Sequence, residues 1–160
     1  MNDEINQQRK KVPASGMVFG ILNCIFGGLG LLSVINGFKV YFIDPTGIYE
    51  MLGKDFLVWS LVSSVFGFLA NGWLLACGIG LFSLKPWARR GNLYYAYYSL
   101  VMLVIAPLVT FLTTSEINDA PSLVRNAFWF GMIIAIFFGL VYAVLLLIFM
   151  NGKKMREAYG

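Results

Sequence analysis

Ser63, Gly67 and Asn71 recur at steps of four residues, with Ser60 and Ser64 on the neighbouring row. On a helix this spacing gathers small hydroxyls and an amide onto one face. Inside an apolar segment such a strip has two uses. It can hydrogen-bond to a neighbouring helix, at about 0.6–2 kcal/mol per contact, or it can line a small polar cavity. No ionisable group accompanies it, and that weights the reading toward interhelical bonding. Ion- or proton-coupled transport needs a carboxylate or base within a span, so a transporter using this strip would carry a neutral or amphipathic solute.

The other reactive side chains point away from catalysis. Cys24 and Cys77 both lie in apolar segments, with neither a Cys-x-x-Cys motif nor metal-ligand spacing. They read as small buried thiols. Histidine is absent from the sequence, which removes the commonest general base and metal ligand. An intramembrane enzyme would need convergent acid, base, metal or nucleophile, and the spans offer only thiols and phenols. Tyr94, Tyr95, Tyr97 and Tyr98 read as headgroup-depth anchors. The chain is therefore read as no enzyme, with no catalytic, cofactor-binding or metal residue assigned and no cofactor expected.

These residues must be positioned by unusually apolar elements. Of the 160 residues, 59% are hydrophobic and 12% charged. Four segments, 12–38, 56–84, 91–115 and 126–152, contain no Asp, Glu, Lys or Arg. Each exceeds the roughly 20 residues that a helix needs to cross the hydrocarbon core. A soluble chain of this length has no outer layer left to cover four such helices. The expected fold is all-α: a transmembrane four-helix bundle, antiparallel, forming one membrane domain over residues 1–160, with spans at about 13–38, 56–84, 91–112 and 127–150. The first apolar run is longer than the core of a signal peptide and lacks a clear small-residue cleavage site, so it is kept as a span.

Two stripes of small residues suggest how the helices meet. Gly16, Gly20, Cys24 and Gly28 step by four along the first span, and Gly131, Ala135, Gly139 and Ala143 do so along the fourth. Small residues let helix backbones approach closely. Asn23 can bond across helices, Asn36 can do so or mark a helix end, and Tyr142 needs a partner in the bundle. Pro107 should kink the outer third of the third span, with Thr110 available to a freed carbonyl. Between the first two spans, Asp44, Pro45 and Gly47 suit a type I turn. The apolar residues 40–43 beside it suit a short strand or a helical turn. Asp119 and Pro121 look like the cap and first turn of the fourth helix.

Charge sets the orientation. Nine of the twelve Lys and Arg residues flank one side, in Arg9, Lys10 and Lys11, in Lys85, Arg89 and Arg90, and in Lys153, Lys154 and Arg156; Lys39, Lys54 and Arg125 flank the other. The positive-inside rule then places both termini and the turn at 85–90 in the cytoplasm. Lys85, Trp87, Arg89 and Arg90 are expected to anchor that turn at the interface. The basic side should attract the anionic headgroups of the bilayer, at about 1 kcal/mol per residue. Other membrane proteins, or a second copy, are further candidate partners. No basic stripe interleaved with aromatics occurs in a polar segment, so nucleic acid is not expected.

Residues 78–89, Gly-Ile-Gly-Leu-Phe-Ser-Leu-Lys-Pro-Trp-Ala-Arg, resemble a signature of small bacterial four-helix membrane proteins of uncharacterised function. In these the second helix closes with Gly-x-Gly-Leu-(Leu/Phe)-x-Leu-(Lys/Arg)-Pro-Trp-(Ala/Gly)-Arg. The final helix with its basic tail is similar too. The resemblance implies a multi-pass protein of the bacterial inner membrane and no particular activity. Its Gly-x-Gly is not a nucleotide loop, since the preceding strand and the third glycine are lacking. The function expected from the sequence is a non-catalytic accessory or interaction module, the alternative being a small transporter or channel subunit.

Overall fold

The computed structural model describes residues 12–42, 54–114 and 121–159. Its elements are α1 (Ala14–Phe42), α2 (Lys54–Phe82), α3 (Pro86–Thr113), α4 (Ser122–Asn151) and a short α5 (Lys153–Tyr159). Four of them are long and apolar enough to cross a membrane. Their outward faces carry large apolar side chains throughout, such as Leu69, Val104, Phe111, Phe137 and Phe138. A surface of that kind suits a multi-pass membrane protein, whose solvent is hydrocarbon.

The ends differ from the sequence reading in ways that have local causes. α1 continues to Phe42, past the expected end at 38, so the helical alternative holds for residues 40–42. α3 starts at Pro86 rather than 91, because proline at the first helical position gives up no hydrogen bond and brings a preset φ. α4 begins directly after Pro121, which stands at the cap position. The turn at Asp44–Gly47, the Asp119 cap and Arg9, Lys10 and Lys11 lie outside the described residues.

Between α2 and α3 the chain reverses tightly. The Lys85 N–H donates to the Gly80 carbonyl at 3.0 Å and the Leu84 N–H to the Leu81 carbonyl at 3.3 Å. This pair of bonds is a Schellman cap, whose penultimate residue must be left-handed. Leu84 fills that position with φ 51°, although glycine would do so without strain. Its side chain packs on the inner core, which is what a leucine adds there.

Consecutive helices pack on one another, and α5 folds back onto α3 and α4. As α1 advances from Gly20 to Gly30, its neighbours on α2 step back from Gly78 to Asn71. Trp59 and Trp73 of α2 staple α3, donating to the Thr110 hydroxyl at 3.1 Å and the Gly91 carbonyl at 3.2 Å. α3 runs on through Pro107 to Thr113. The best-packed core lies at the basic end, where Phe19, Leu81, Ala88, Ala96, Leu146, Met150, Met155 and Tyr159 are buried together. At the opposite end Phe56, Phe128 and Trp129 are only partly buried.

The close α1–α2 seam uses Gly20, Gly27 and Gly30 rather than a strict step of four. A Cβ on Gly27 would lie 2.8 Å from the Leu75 nitrogen, and one on Gly30 would run into the Asn71 amide. A Cβ on Gly28 would meet nothing within 4 Å. The reason is helical geometry: four residues turn the face by about 40° beyond a full circle, whereas seven return it to within about 20°. Gly28 is therefore rotated by roughly 100° from Gly27 and leaves the seam, whereas Gly30 is rotated by about 60° the other way and still meets Asn71. The same drift splits the α4 stripe. Gly139 sits against Leu103 and Ala143 is fully buried, while Gly131 and Ala135 are exposed.

Candidate functional site

Three helices are joined by a chain of side-chain hydrogen bonds near the basic end. The Tyr142 hydroxyl donates to Asn23 Oδ1. Asn23 Nδ2 donates to Asn92 Oδ1 at 2.6 Å, and Asn92 Nδ2 to the Ala88 carbonyl at 2.8 Å. Both asparagines are completely buried. Among the described residues no buried side-chain nitrogen or oxygen lacks a partner. Aromatic rings sheath the chain: Phe26 meets Tyr142 edge-on at 5.2 Å, and Phe19 lies tilted against Tyr142 and Phe149. Each amide has exchanged water for a neighbouring helix, so the chain fixes how α1, α3 and α4 register with one another.

The Ser63–Gly67–Asn71 strip lies on the other side of Tyr95 and behaves differently. Ser63 and Ser64 bond back to the Ser60 carbonyl of their own helix, at 3.0 and 2.8 Å, as mid-helix serines commonly do. They make no bridge to another helix among the described residues. Gly67 is in ordinary contact with Val34, and Asn71 lies over Gly30. Among the described residues no group hydrogen-bonds to the Asn71 amide. Instead Ser63, Gly67 and Asn71 share the wall of a cleft of about 380 Å³. Tyr95, Tyr98, Ser99, Met102, Leu103, Ala106, Pro107 and Thr110 of α3 form its second wall, and Met132, Ala135 and Ile136 of α4 its third. Among the described residues, the lining carries no charged side chain. Tyr95 also borders a cleft lined by Leu22, Phe26 and Tyr142, so it belongs to the walls of both.

At the basic end the anchors take distinct positions. Lys85, Trp87 and Arg90 are exposed, with the Trp87 ring against Gly80, whereas Arg89 turns inward and its Nε donates to the Met150 carbonyl at 2.8 Å. A cation there satisfies a carbonyl at the C-terminal end of α4 and opposes the helix dipole. α5 completes this end. The Tyr159 hydroxyl donates to the Leu81 carbonyl at 2.6 Å, and the ring closes over Gly16, where a Cβ would come within 2.6 Å of that oxygen. Burial pushes the Tyr159 phenol above its ordinary value. Cys24 and Cys77 are both free thiols, Cys24 half-buried and Cys77 buried. Cys24 faces Gly78 and Cys77 faces Gly91.

Asn92 and Tyr159 do not stand out in the sequence reading. Asn92 is the second residue of the charge-free segment 91–115, directly behind Arg89 and Arg90, so it reads as a boundary position, unlike Asn23. Met155 and Tyr159 are four residues apart in the basic tail, a helical spacing concealed by the lysines around it. Compared with known protein families, curated proteins and solved structures, the chain matches none.

Proposed function

We propose that the chain is a multi-pass protein of a cell (inner) membrane and works as a non-catalytic interaction module, receiving an uncharged amphipathic molecule from the bilayer in the Asn71 cleft. The observation that carries this reading is the Asn71 amide. It stands eleven residues, about 16 Å, inside the end of α2 with no partner in the described chain. A primary amide left unbonded in hydrocarbon costs several kcal/mol, so a guest supplies its bonds. The lining defines that guest: an apolar body against Met102, Leu103, Pro107 and Ile136, and an uncharged hydroxyl, carbonyl or amide at the Asn71 end.

The same proposal includes an antiparallel bundle with both termini and residues 85–90 in the cytoplasm. The charge count and the opposed stepping of α1 and α2 support it. The resemblance of residues 78–89 to small bacterial membrane proteins supports a bacterial inner membrane. Anionic headgroups on the cytoplasmic side are the expected lipid partners, and the open faces at Gly28 and Gly131 leave room for a helix of another membrane protein or a second copy. A transporter or channel subunit for a neutral or amphipathic solute is the second reading. It requires a path past Tyr95 and through the Tyr142–Asn23–Asn92 chain, whose two asparagines are completely buried, and this favours binding over passage.

The test uses the full chain in phosphatidylcholine nanodiscs, with retention of a monoacylglycerol read by native mass spectrometry. Asn71→Leu, which keeps the number and branching of the heavy atoms and removes the amide, should lower retention at least tenfold; equal retention overturns the reading. Labelling of Asn71→Cys by a water-soluble maleimide from both faces, with Cys24 and Cys77 replaced by alanine, would instead favour passage.

A further inference from the structure

A second cleft, of about 700 Å³, lies at the basic end between the start of α3 and the α4–α5 junction, lined by Arg89, Asn151, Lys153, Arg156 and Glu157. Three cations and one carboxylate line it. That carboxylate, Glu157, is 3.9 Å from Lys153, and both are largely exposed, so the pair neutralises little. The guanidinium of Arg89 is held by its Nε bond to the Met150 carbonyl. Its four Nη hydrogens have no partner among the described residues, and its plane is already fixed. Burial and, after it, the like charges of Arg156 and Arg90 act on Arg89, and of those two arginines only Arg156 lines the cleft. Within the cleft Glu157 pairs with Lys153, which leaves both guanidinium groups without a carboxylate partner among the described residues.

We propose that this cleft is a phosphate site in which Arg89 and Arg156 bind the phosphate oxygens and Lys153 adds a third positive charge. A guanidinium fork matches two oxygens of a phosphate, and an arginine pre-held by another bond loses less entropy on binding. Asn151 offers a neutral donor at the rim. The phosphate can belong to a lipid headgroup or be free in solution. The proposal rests on the reading that this end lies at the headgroup level, and it replaces a diffuse attraction of nine cations with a built site.

The experiment measures phosphatidylglycerol retained by the full chain in neutral detergent, using native mass spectrometry, for wild type and three variants. Arg156→Gln should weaken retention at least tenfold. Lys154→Gln, which removes the same charge from an exposed residue outside the cleft, should stay within twofold. Arg89→Lys keeps the charge but loses the fork, and should weaken retention at least fivefold. Competition by millimolar inorganic phosphate would assign the site to a free anion; indifference to it, with phosphatidylglycerol preferred over phosphatidylcholine, would assign it to an anionic lipid. Equal losses in Lys154→Gln and Arg156→Gln overturn the site while leaving the headgroup placement standing. No loss in any variant overturns both.

Discussion

Tyr142 of α4 and Asn23 of α1 are joined by a hydrogen bond from phenol to amide oxygen across 119 residues of sequence. The bond matters because Asn23 has a second obligation, donating to Asn92 of α3. Tyr142→Phe removes the donor without changing the packing and leaves Asn23 with an unpaired acceptor in a dry site. The expected loss is about 1–3 kcal/mol, read as a shift of the unfolding midpoint in mixed micelles. Combining it with Asn23→Leu should cost less than the sum of the two single changes, because both polar partners are then gone. Strict additivity would show that the pair is not coupled.

Gly27 and Gly28 are neighbours with opposite expected responses. An alanine methyl at Gly27 would press on the backbone of α2, 2.8 Å from the Leu75 nitrogen and 2.9 Å from the Asn71 oxygen. Backbone does not swing away as a side-chain end does, so Gly27→Ala should destabilise by about 1–3 kcal/mol. Gly28→Ala meets open space and should be neutral or gain up to about 1 kcal/mol of helix propensity. Thermal unfolding of the two variants side by side checks this. Equal behaviour would mean that α1 and α2 do not meet along this seam.

The four long helices could be read from the sequence because the exclusion of charge from long stretches is a one-dimensional signal. The faces on which they meet could not. A step of four finds Gly16, Gly20, Gly139 and Ala143, which do pack, but carries along Gly28 and Gly131, which have turned away from their neighbours. Register depends on which helix lies opposite, and sequence spacing does not contain that. The candidate cleft was half legible. Ser63, Gly67 and Asn71 do share one wall, yet the Ser63 hydroxyl turns to its own backbone, and the facing wall around Pro107 and Ala135 belongs to other helices. Tyr159 was concealed for a different reason: a seven-residue helix is stable only because its Met155 and Tyr159 are buried by distant elements.

Tyr159 should make the docking of α5 sensitive to alkali. Its phenol is neutral in the folded state, donates to the Leu81 carbonyl, and is pushed upward by burial. A raised folded value means that the proton is held more tightly folded than unfolded. The docking contribution is thus complete below the ordinary phenol value of 10.0 and falls away as pH rises through the higher, folded value. Limited proteolysis of the tail should accelerate in that alkaline range in wild type. Tyr159→Phe, expected to cost about 0.5–1.5 kcal/mol at neutral pH, should show a flatter alkaline response. An identical pH profile in both would remove Tyr159 as the titrating group.

Ala135 separates two ways in which the Asn71 cleft can fail. It sits on the α4 wall, exposed and facing open volume, so a phenylalanine there fills the cleft without displacing a packed neighbour. Ala135→Phe should leave stability within about 0.5 kcal/mol of wild type while excluding any guest. Asn71→Leu leaves the volume free and removes only the amide. A hydroxylated guest such as a monoacylglycerol should therefore be lost from both variants, whereas a plain alkane of the same chain length should be lost only from Ala135→Phe. The alkane gains from burial alone, and the hydroxylated guest gains in addition the bonds that Asn71 lacks. If Asn71→Leu retains both guests as wild type does, the amide takes no part in recognition, and the cleft is filled by ordinary acyl chains of the bilayer.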